Sequence, residues 1–364
     1  MNPEYLGLQS ILTTHMAMSG ALVAVEFCLY APKAESVQLI GEMTDWQLAP
    51  LAMQRDAKGN WRLGLRLRHG QWLYKFMVDG QIIADPANPL RAADGLGGEH
   101  SYILLGDGDW SQRAATEYGE IIKIEIASKT LQTNTQFQVY LPPDYQANRR
   151  YSLLYLMHGY RTECNQWASN GMICQFMGNL QAQGLIEPFI IVMPATVNQQ
   201  NAAQYTQFLG DELYAWLLKH FSIAPGSANT AVAGMSQLSL NAFDFAMQFP
   251  TRFGLVVPIS AFFSQQYLHQ IAQQHIQVPF ALRLYCGSED YVFARNERFA
   301  EILLKNAVHF DYLRVNGEHS WHYWNSMTRD LLIAISEFFS GHATHELPSI
   351  ALDFSQTLHE SIYE

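Results

Sequence analysis

Three residues of this 364-residue chain have the types and settings that covalent chemistry needs. In TAVAGMSQLSLNAFDFAMQFP a buried strand ends at Gly234-Met235-Ser236-Gln237, and an amphipathic helix is predicted over 237–248. A serine on a tight strand-to-helix turn projects its hydroxyl above the sheet at the helix N-terminus. The next backbone N–H, that of Gln237, points into the same space and can hold an oxyanion. Gly234 suits the close approach of strand and helix, whereas Leu238-Ser239 stands where a second elbow glycine usually falls. Taken alone, Ser236 reads equally well as a helix-capping serine. Two downstream segments break that tie. LYCGSEDYVFARNERF places Asp290 just after one strand, and VNGEHSWHYW places His319 just after the next. An imidazole can take the serine proton, and a carboxylate can hold its tautomer and stabilise the imidazolium. Glu289 is the rival acid. His322 is the rival base, but it falls inside the final predicted helix.

The elements that must position these residues alternate from about residue 121. IIKIEIAS and QFQVYLPP read as two leading strands. YSLLYLMHG and PFIIVMP are continuous apolar runs of the kind buried on both faces of a parallel sheet. QWASNGMICQFMGNLQAQG and YTQFLGDELYAWLLKHF read as helices, the latter with Asp211-Glu212 on a solvated or domain-facing side. Then come strands in TAVAGM, FGLVVPIS, FALRLYCG and HFDYLRV, with helices over 237–248, 294–305 and 321–339. This alternation implies a doubly wound, mostly parallel α/β domain. Ser236, Asp290 and His319 then all lie at carboxyl ends of strands, in the chain order of α/β-hydrolase triads. His158-Gly159 closes a central strand, and the loop after it is expected to supply a second oxyanion N–H, from Tyr160.

Ahead of this, residues from about 21 to 105 read as β. NWRLGLRLRHG sets Trp61, Leu63, Leu65 and Leu67 against Arg62, Gly64, Arg66 and Arg68 in strict alternation. QWLYKFMVDGQIIADP gives two strands about Asp79-Gly80, a strong hairpin signal. The predicted organisation is an N-terminal extension (1–20), an all-β Ig-like sandwich (21–107), a linker (108–120), the α/β-hydrolase domain (121–341) and an acidic tail (342–364).

Residues 121–341 resemble the esterase group of α/β-hydrolases that includes enterochelin esterase, esterase D, feruloyl and acetyl-xylan esterases and the antigen 85 mycolyltransferases. The resemblance is carried by LLYLMHG, Trp167, AGMSQ, LYCGSED and EHSWHYW. In the last, His319-Ser320-Trp321-x-x-Trp324 matches the group's His-x-Trp-x-x-Trp. The resemblance implies Ser236 as nucleophile, His319 as base, Asp290 as acid, and no metal or cofactor. The group usually carries Gly-Gly where this chain has Leu238-Ser239. IGEMTDWQLAPLAMQRDAKGNWRLGLRLRHGQWLYKFMVDGQIIADPANP resembles the glycogen-binding and isoamylase N-terminal module. Trp46, Lys75 and Leu96 match sugar-contacting positions of that module, while Ile82 and His100 replace a tryptophan and an asparagine. A lost aromatic platform weakens sugar stacking. The module then reads best as one kept for packing on the hydrolase.

The remaining signals narrow the partner. The chain has 22 Lys and Arg against 33 Asp and Glu, net −11, so it carries no basic footprint for nucleic acid or for a membrane surface. Its four cysteines form no C-x-x-C pair, and His319-x-x-His322 beside Glu318 is better used by the triad than by a metal. The start, MNPEYLGLQS, lacks a basic and apolar leader pattern, which gives a cytoplasmic expectation. The expected activity is a serine carboxylic-ester hydrolase acting through an acyl-enzyme, on a siderophore ester or a feruloyl or acetyl ester of a carbohydrate. Trp321, Trp324, Trp46 and Lys75 are the substrate-binding candidates. The alternatives are a carbohydrate-binding or scaffold protein with an impaired hydrolase fold, and an acyltransferase.

Overall fold

A computed structural model describes residues 22–44, 46–94, 97–106, 118–159, 164–195 and 202–341. The first unit holds β1 (Val23–Tyr30), β2 (Val37–Gly41), β3 (Leu51–Ala52), β4 (Gln54–Arg55), β5 (Asn60–Leu67), β6 (Gly70–Val78), β7 (Gln81–Ile83), β8 (Arg91–Ala93) and β9 (Glu99–Leu105). They form two sheets, ordered β1-β5-β4 and β3-β2-β6-β9-β8, with β7 paired to β6. β1 and β5 run antiparallel over their full length, from Val23 opposite Leu67 to Tyr30 opposite Asn60. Period-two patterning puts Phe27, Leu29, Trp61 and Leu67 into one cluster with Leu39, Tyr74 and Phe76 of the other sheet. The β6–β7 hairpin turns at Asp79 and Gly80, both with positive φ.

The second unit is built on an eight-stranded sheet of β10 (Glu120–Ser128), β11 (Thr133–Leu141), β12 (Leu153–Met157), β13 (Ile190–Pro194), β14 (Thr230–Met235), β15 (Leu255–Ile259), β16 (Ala281–Gly287) and β17 (Asp311–Val315). Its order is β10-β11-β13-β12-β14-β15-β16-β17. The first two strands are antiparallel; the six from β13 to β17 are parallel. β12, β13, β14 and β15 are buried at every residue, as strands covered on both faces by helices must be. The helices are α1 (Gln166–Ser169), α2 (Ile173–Ala182), α3 (Ala202–Gln207), α4 (Tyr214–His220), α5 (Gln237–Gln248), α6 (Gln265–Ala272), α7 (Phe293–Lys305) and α8 (Trp321–Phe339). The chain is therefore an α/β-hydrolase-like domain preceded by an all-β domain.

Four local features differ from the sequence expectation. The helix predicted after Gln166 is two helices, because Met172 takes a left-handed conformation (φ 45°) between them. The helix over 205–221 carries a π-helical stretch, Phe208–Leu213, between α3 and α4. There Glu212 accepts from the Ser128 hydroxyl and the N–H groups of Lys129 and Thr130, closing the β10–β11 turn. Residues 91–105, within the predicted β region but given no strand of their own there, hold β8 and β9. Helix α6 was not expected; Ser264 caps it by accepting from the Tyr267 N–H.

The two units are joined across a polar and aromatic seam. The Ala93 carbonyl at the end of β8 accepts from Gln166 Nε2 at 3.3 Å and from Asn170 Nδ2 at 3.1 Å. Trp72 of β6 stacks on His322 of α8, centroids 3.9 Å apart. Leu73 and Ala92 belong to the same buried cluster as Trp167, Trp321 and Trp324.

Candidate active site

Ser236 sits between β14 and α5 with φ 55° and ψ −122°, a region that costs a non-glycine residue about 1–3 kcal/mol. Surrounding contacts hold it there. Its N–H donates to the Ile259 carbonyl at 2.9 Å, and its carbonyl accepts from the Phe262 N–H at 3.1 Å. Gly234 is required by contact: a Cβ there would lie 2.5 Å from the Leu238 carbonyl oxygen and 2.8 Å from the Ala242 Cβ. Leu238 and Ser239 fit the turn without glycine. Leu238 is buried in the core, and the Ser239 hydroxyl bridges the Gly234 and Ile259 carbonyls while accepting from the Ile259 N–H. The capping-serine reading fails, because the Ser236 side chain makes no cap hydrogen bond.

The Ser236 hydroxyl instead lies 2.9 Å from His319 Nε2. His319 Nδ1 lies 2.9 and 3.0 Å from the two carboxylate oxygens of Asp290. A carboxylate only accepts, so Nδ1 carries the proton and Nε2 is left to accept from the serine. Asp290 is 4% exposed, and its Oδ1 also takes the Val292 N–H at 3.0 Å. The rivals fall away on geometry. Glu289 is exposed. His322 donates Nδ1–H to the Gln71 carbonyl at 3.2 Å, and burial pushes it down to about 4. The Gln237 N–H opens α5 beside Ser236, at the positive end of a twelve-residue helix. Gly159 is packed within 3.9 Å of the Ser236 Cβ, measured from its own would-be Cβ. Tyr160, the second expected oxyanion donor, lies outside the described residues, as does Leu96.

The other candidates separate. Trp324 packs edge-on to His319 at 5.0 Å and donates Nε1–H to the Ser260 hydroxyl; Trp321 packs between Trp324 and Trp167. Both are buried in the core behind the imidazole. Lys75 is ion-paired to Asp94 at 2.9 Å. Trp46, held at φ 55° and packed on His100, faces a cleft of about 530 Å³ between the two units. His319, Tyr291 and Glu289 line one wall of this cleft, and Trp46, Trp72, Arg66 and Arg68 line the other. The cleft was not legible in the sequence. Its only trace there is the outward register of Arg66 on β5 and of Arg68 just past its end. Among the described residues no group of three or more His, Cys, Asp or Glu side chains could hold a metal, and no helix is long and apolar enough to cross a membrane.

An elbow serine in line with an imidazole and a buried carboxylate, at the carboxyl ends of β14, β17 and β16, places this chain with the α/β hydrolases. Comparison with known proteins narrows the class. Residues 128–335 match the family described as "Putative esterase", and residues 15–89 match carbohydrate-binding module 48, the isoamylase N-terminal domain. The chain belongs to this esterase family. It is 26% identical over 230 residues to an endo-1,4-beta-xylanase/feruloyl esterase of Xylanibacter ruminicola, a match covering 56% of this chain and 30% of that protein. The chain thus spans less than a third of that relative's length. Among solved structures, the enterobactin esterase FES from Shigella flexneri superposes with a TM-score of 0.71 at 18% identity, over 87% of this chain and 94% of that one. A ferulic acid esterase from Anaeromyces mucronatus gives 0.54 at 21% identity, over 63% and 94%. The Shigella likeness extends over both units, that of the fungal esterase over little more than the hydrolase.

Proposed function

We propose that the chain is a serine carboxylic-ester hydrolase that works through an acyl-enzyme. The observation that carries this is the line Ser236 Oγ–His319 Nε2–Asp290, with contacts of 2.9 Å at each step. Ser236 Oγ attacks the ester carbonyl while its proton passes to His319 Nε2. Asp290 stabilises the imidazolium through the Nδ1–H bond. The tetrahedral oxyanion takes the Gln237 N–H, with Tyr160 as the second donor. His319 then protonates the departing alcohol, and a water activated by the same Nε2 releases the acid.

The interdomain cleft supports a substrate class. Trp46, Trp72 and Tyr291 offer aromatic faces, which favour an aromatic acyl group. Arg66 and Arg68 are exposed to the cleft and have no ion-pair partner among the described residues. They favour a substrate with acidic or anionic substituents. A siderophore or feruloyl ester meets both requirements. The module's role is then to wall the cleft, since Lys75 is tied to Asp94 and Trp46 faces the hydrolase.

The test is hydrolysis of p-nitrophenyl acetate and labelling by a fluorophosphonate probe, for wild type and Ser236→Ala. We expect labelling of wild type only, and a loss in kcat of roughly a thousandfold or more in the variant. Equal rates from both proteins refute the reading. A panel of aromatic and aliphatic esters then ranks the acyl groups.

A further inference from the structure

Glu42 is a buried acid that the mechanism above does not use. It stands in the turn Glu42–Thr44 that ends β2, which Thr44 fixes by accepting from the Gly41 N–H at 2.9 Å. Its carboxylate points out of the module and into the seam. Oε2 accepts from the Leu73 N–H of β6 at 2.9 Å. Oε1 accepts from the His322 N–H at 3.1 Å, and the Trp321 N–H is also turned to the carboxylate. Those two N–H groups belong to the first turn of α8, which starts two residues after His319. Ser320, the N-cap of α8, satisfies only the Tyr323 N–H. The remaining orphan donors at this helix end are thus taken by a carboxylate from the other unit, where a negative charge also suits the helix dipole.

His319 itself sits on the short segment between β17 and α8. Two of the contacts that hold that segment matter here. One is the Gly317 carbonyl, which accepts from the Glu289 N–H at 3.0 Å. The other is the N-terminus of α8. We infer that Glu42 is a positioning residue for the hydrolase reaction: by bridging Leu73 and the first turn of α8, it fixes the segment that aims His319 Nε2 at Ser236. The inference rests on the esterase reading, and it makes the module part of the catalytic apparatus.

Burial pushes the Glu42 carboxyl up to about 7 against the opposing pull of its three N–H donors, and Glu318 adds to the rise. The other titratable groups around it are His319 and His322 from the α8 side, Arg66 from β5 and Arg68 just after it, and Glu289 and Tyr291 across the cleft. A protonated Glu42 keeps fewer acceptor sites, so acidification loosens the same anchor that Glu42→Gln weakens.

The experiment compares full-length wild type, Glu42→Gln and Glu42→Ala, each first shown to be folded by circular dichroism, with Ser236→Ala as the reference for no catalysis. For p-nitrophenyl acetate we expect kcat to fall about tenfold to a hundredfold in both Glu42 variants, as for a displaced catalytic group, with KM within about twofold. Fluorophosphonate labelling slows in parallel. Below pH 7 the wild-type kcat gains an acid limb from the protonation of Glu42, and the isosteric Glu42→Gln lacks that contribution to the slope. The wild-type slope needs no variant to fold. Unchanged kcat, labelling rate and acid limb in Glu42→Gln overturn the inference and leave the esterase reading standing. A wild type no faster than Ser236→Ala overturns both.

Discussion

Replacing Asp290 by asparagine keeps the shape of the side chain and removes one charge. The Val292 N–H, 3.0 Å from Oδ1, draws the amide oxygen to its side. The amide nitrogen is left where Oδ2 stood, 2.9 Å from His319 Nδ1. Two donors cannot face each other there, so the ring changes tautomer: Nδ1 accepts and Nε2 carries the proton. Nε2 then cannot take the Ser236 proton. The lost electrostatic support can be gauged separately. Opposite unit charges 2.9 Å apart at an effective dielectric constant of ~20 attract by on the order of 5 kcal/mol. At about 1.4 kcal/mol per factor of ten, that corresponds to roughly 10³–10⁴ in kcat. The assay is p-nitrophenyl acetate turnover with burst-phase kinetics, beside Glu289→Gln, which changes an exposed side chain and should leave kcat within about twofold. Asp290→Asn retaining more than a tenth of wild-type kcat would refute the reasoning. So would an equal loss in Glu289→Gln, which would move the acid to the neighbouring position.

Other expectations follow from the same contacts. Arg66→Ala with Arg68→Ala should raise KM for an anionic aromatic ester about tenfold while leaving p-nitrophenyl acetate unaffected; equal effects on both esters contradict the cleft assignment. Ser239→Ala leaves the Ile259 N–H without its 3.2 Å acceptor and should cost about 1–3 kcal/mol in urea unfolding, with a several-fold drop in kcat. Gly234→Ala forces a Cβ to within 2.5 Å of the Leu238 carbonyl oxygen, so the protein should be inactive or fail to accumulate in folded form. Burial lowers His100, His158 and His322 to about 4 from 6.5, while it raises Glu42 to about 7 from 4.5. Between pH 6.5 and 4.5, unfolding takes up protons on three imidazoles and releases one from Glu42, so stability should fall with acidification. Below 4.5 the opposing Glu42 contribution ends, and the fall should steepen to about pH 4. A urea midpoint that rises from pH 6.5 to 4.5 contradicts this sign.

Much of the fold is written in local patterns. The apolar runs LLYLM and IIVMP become strands buried on both faces, and the alternation in NWRLGLRL becomes a half-buried strand. Helices 237–248 and 321–339 match the expected spans. The order Ser236, Asp290, His319 was legible because each follows a strand of one parallel sheet, whose carboxyl ends share one edge. What the sequence hid depends on contacts made far along the chain. Leu238-Ser239 departs from the usual elbow glycines, but whether Leu238 fits is decided by the core beneath it, and Ser239 supplies hydrogen bonds that glycine lacks. Glu42, in a strand-end Glu-Met-Thr turn, carries every local sign of a solvated acid. Its carboxylate is closed in between β6 of its own module and the distant α8. Trp321 and Trp324 have the composition of a binding surface, and the packing around Trp167 buries them instead.

The hydrogen bond from His322 to Glu42 spans 280 positions of the chain. Synthesis runs from the module toward α8, and domains tend to fold in that order. The module can therefore complete its sheets while the strands that will hold Ser236, Asp290 and His319 are still being made. The bond that unites the two units is among the last contacts available to the emerging polypeptide. An interrupted chain ending between α5 and α8 contains a formed module and an elbow serine, but no aligned base. On the proposed mechanism, competence to cleave esters would arrive only near the end of translation, when the last helix docks on a surface laid down at the beginning.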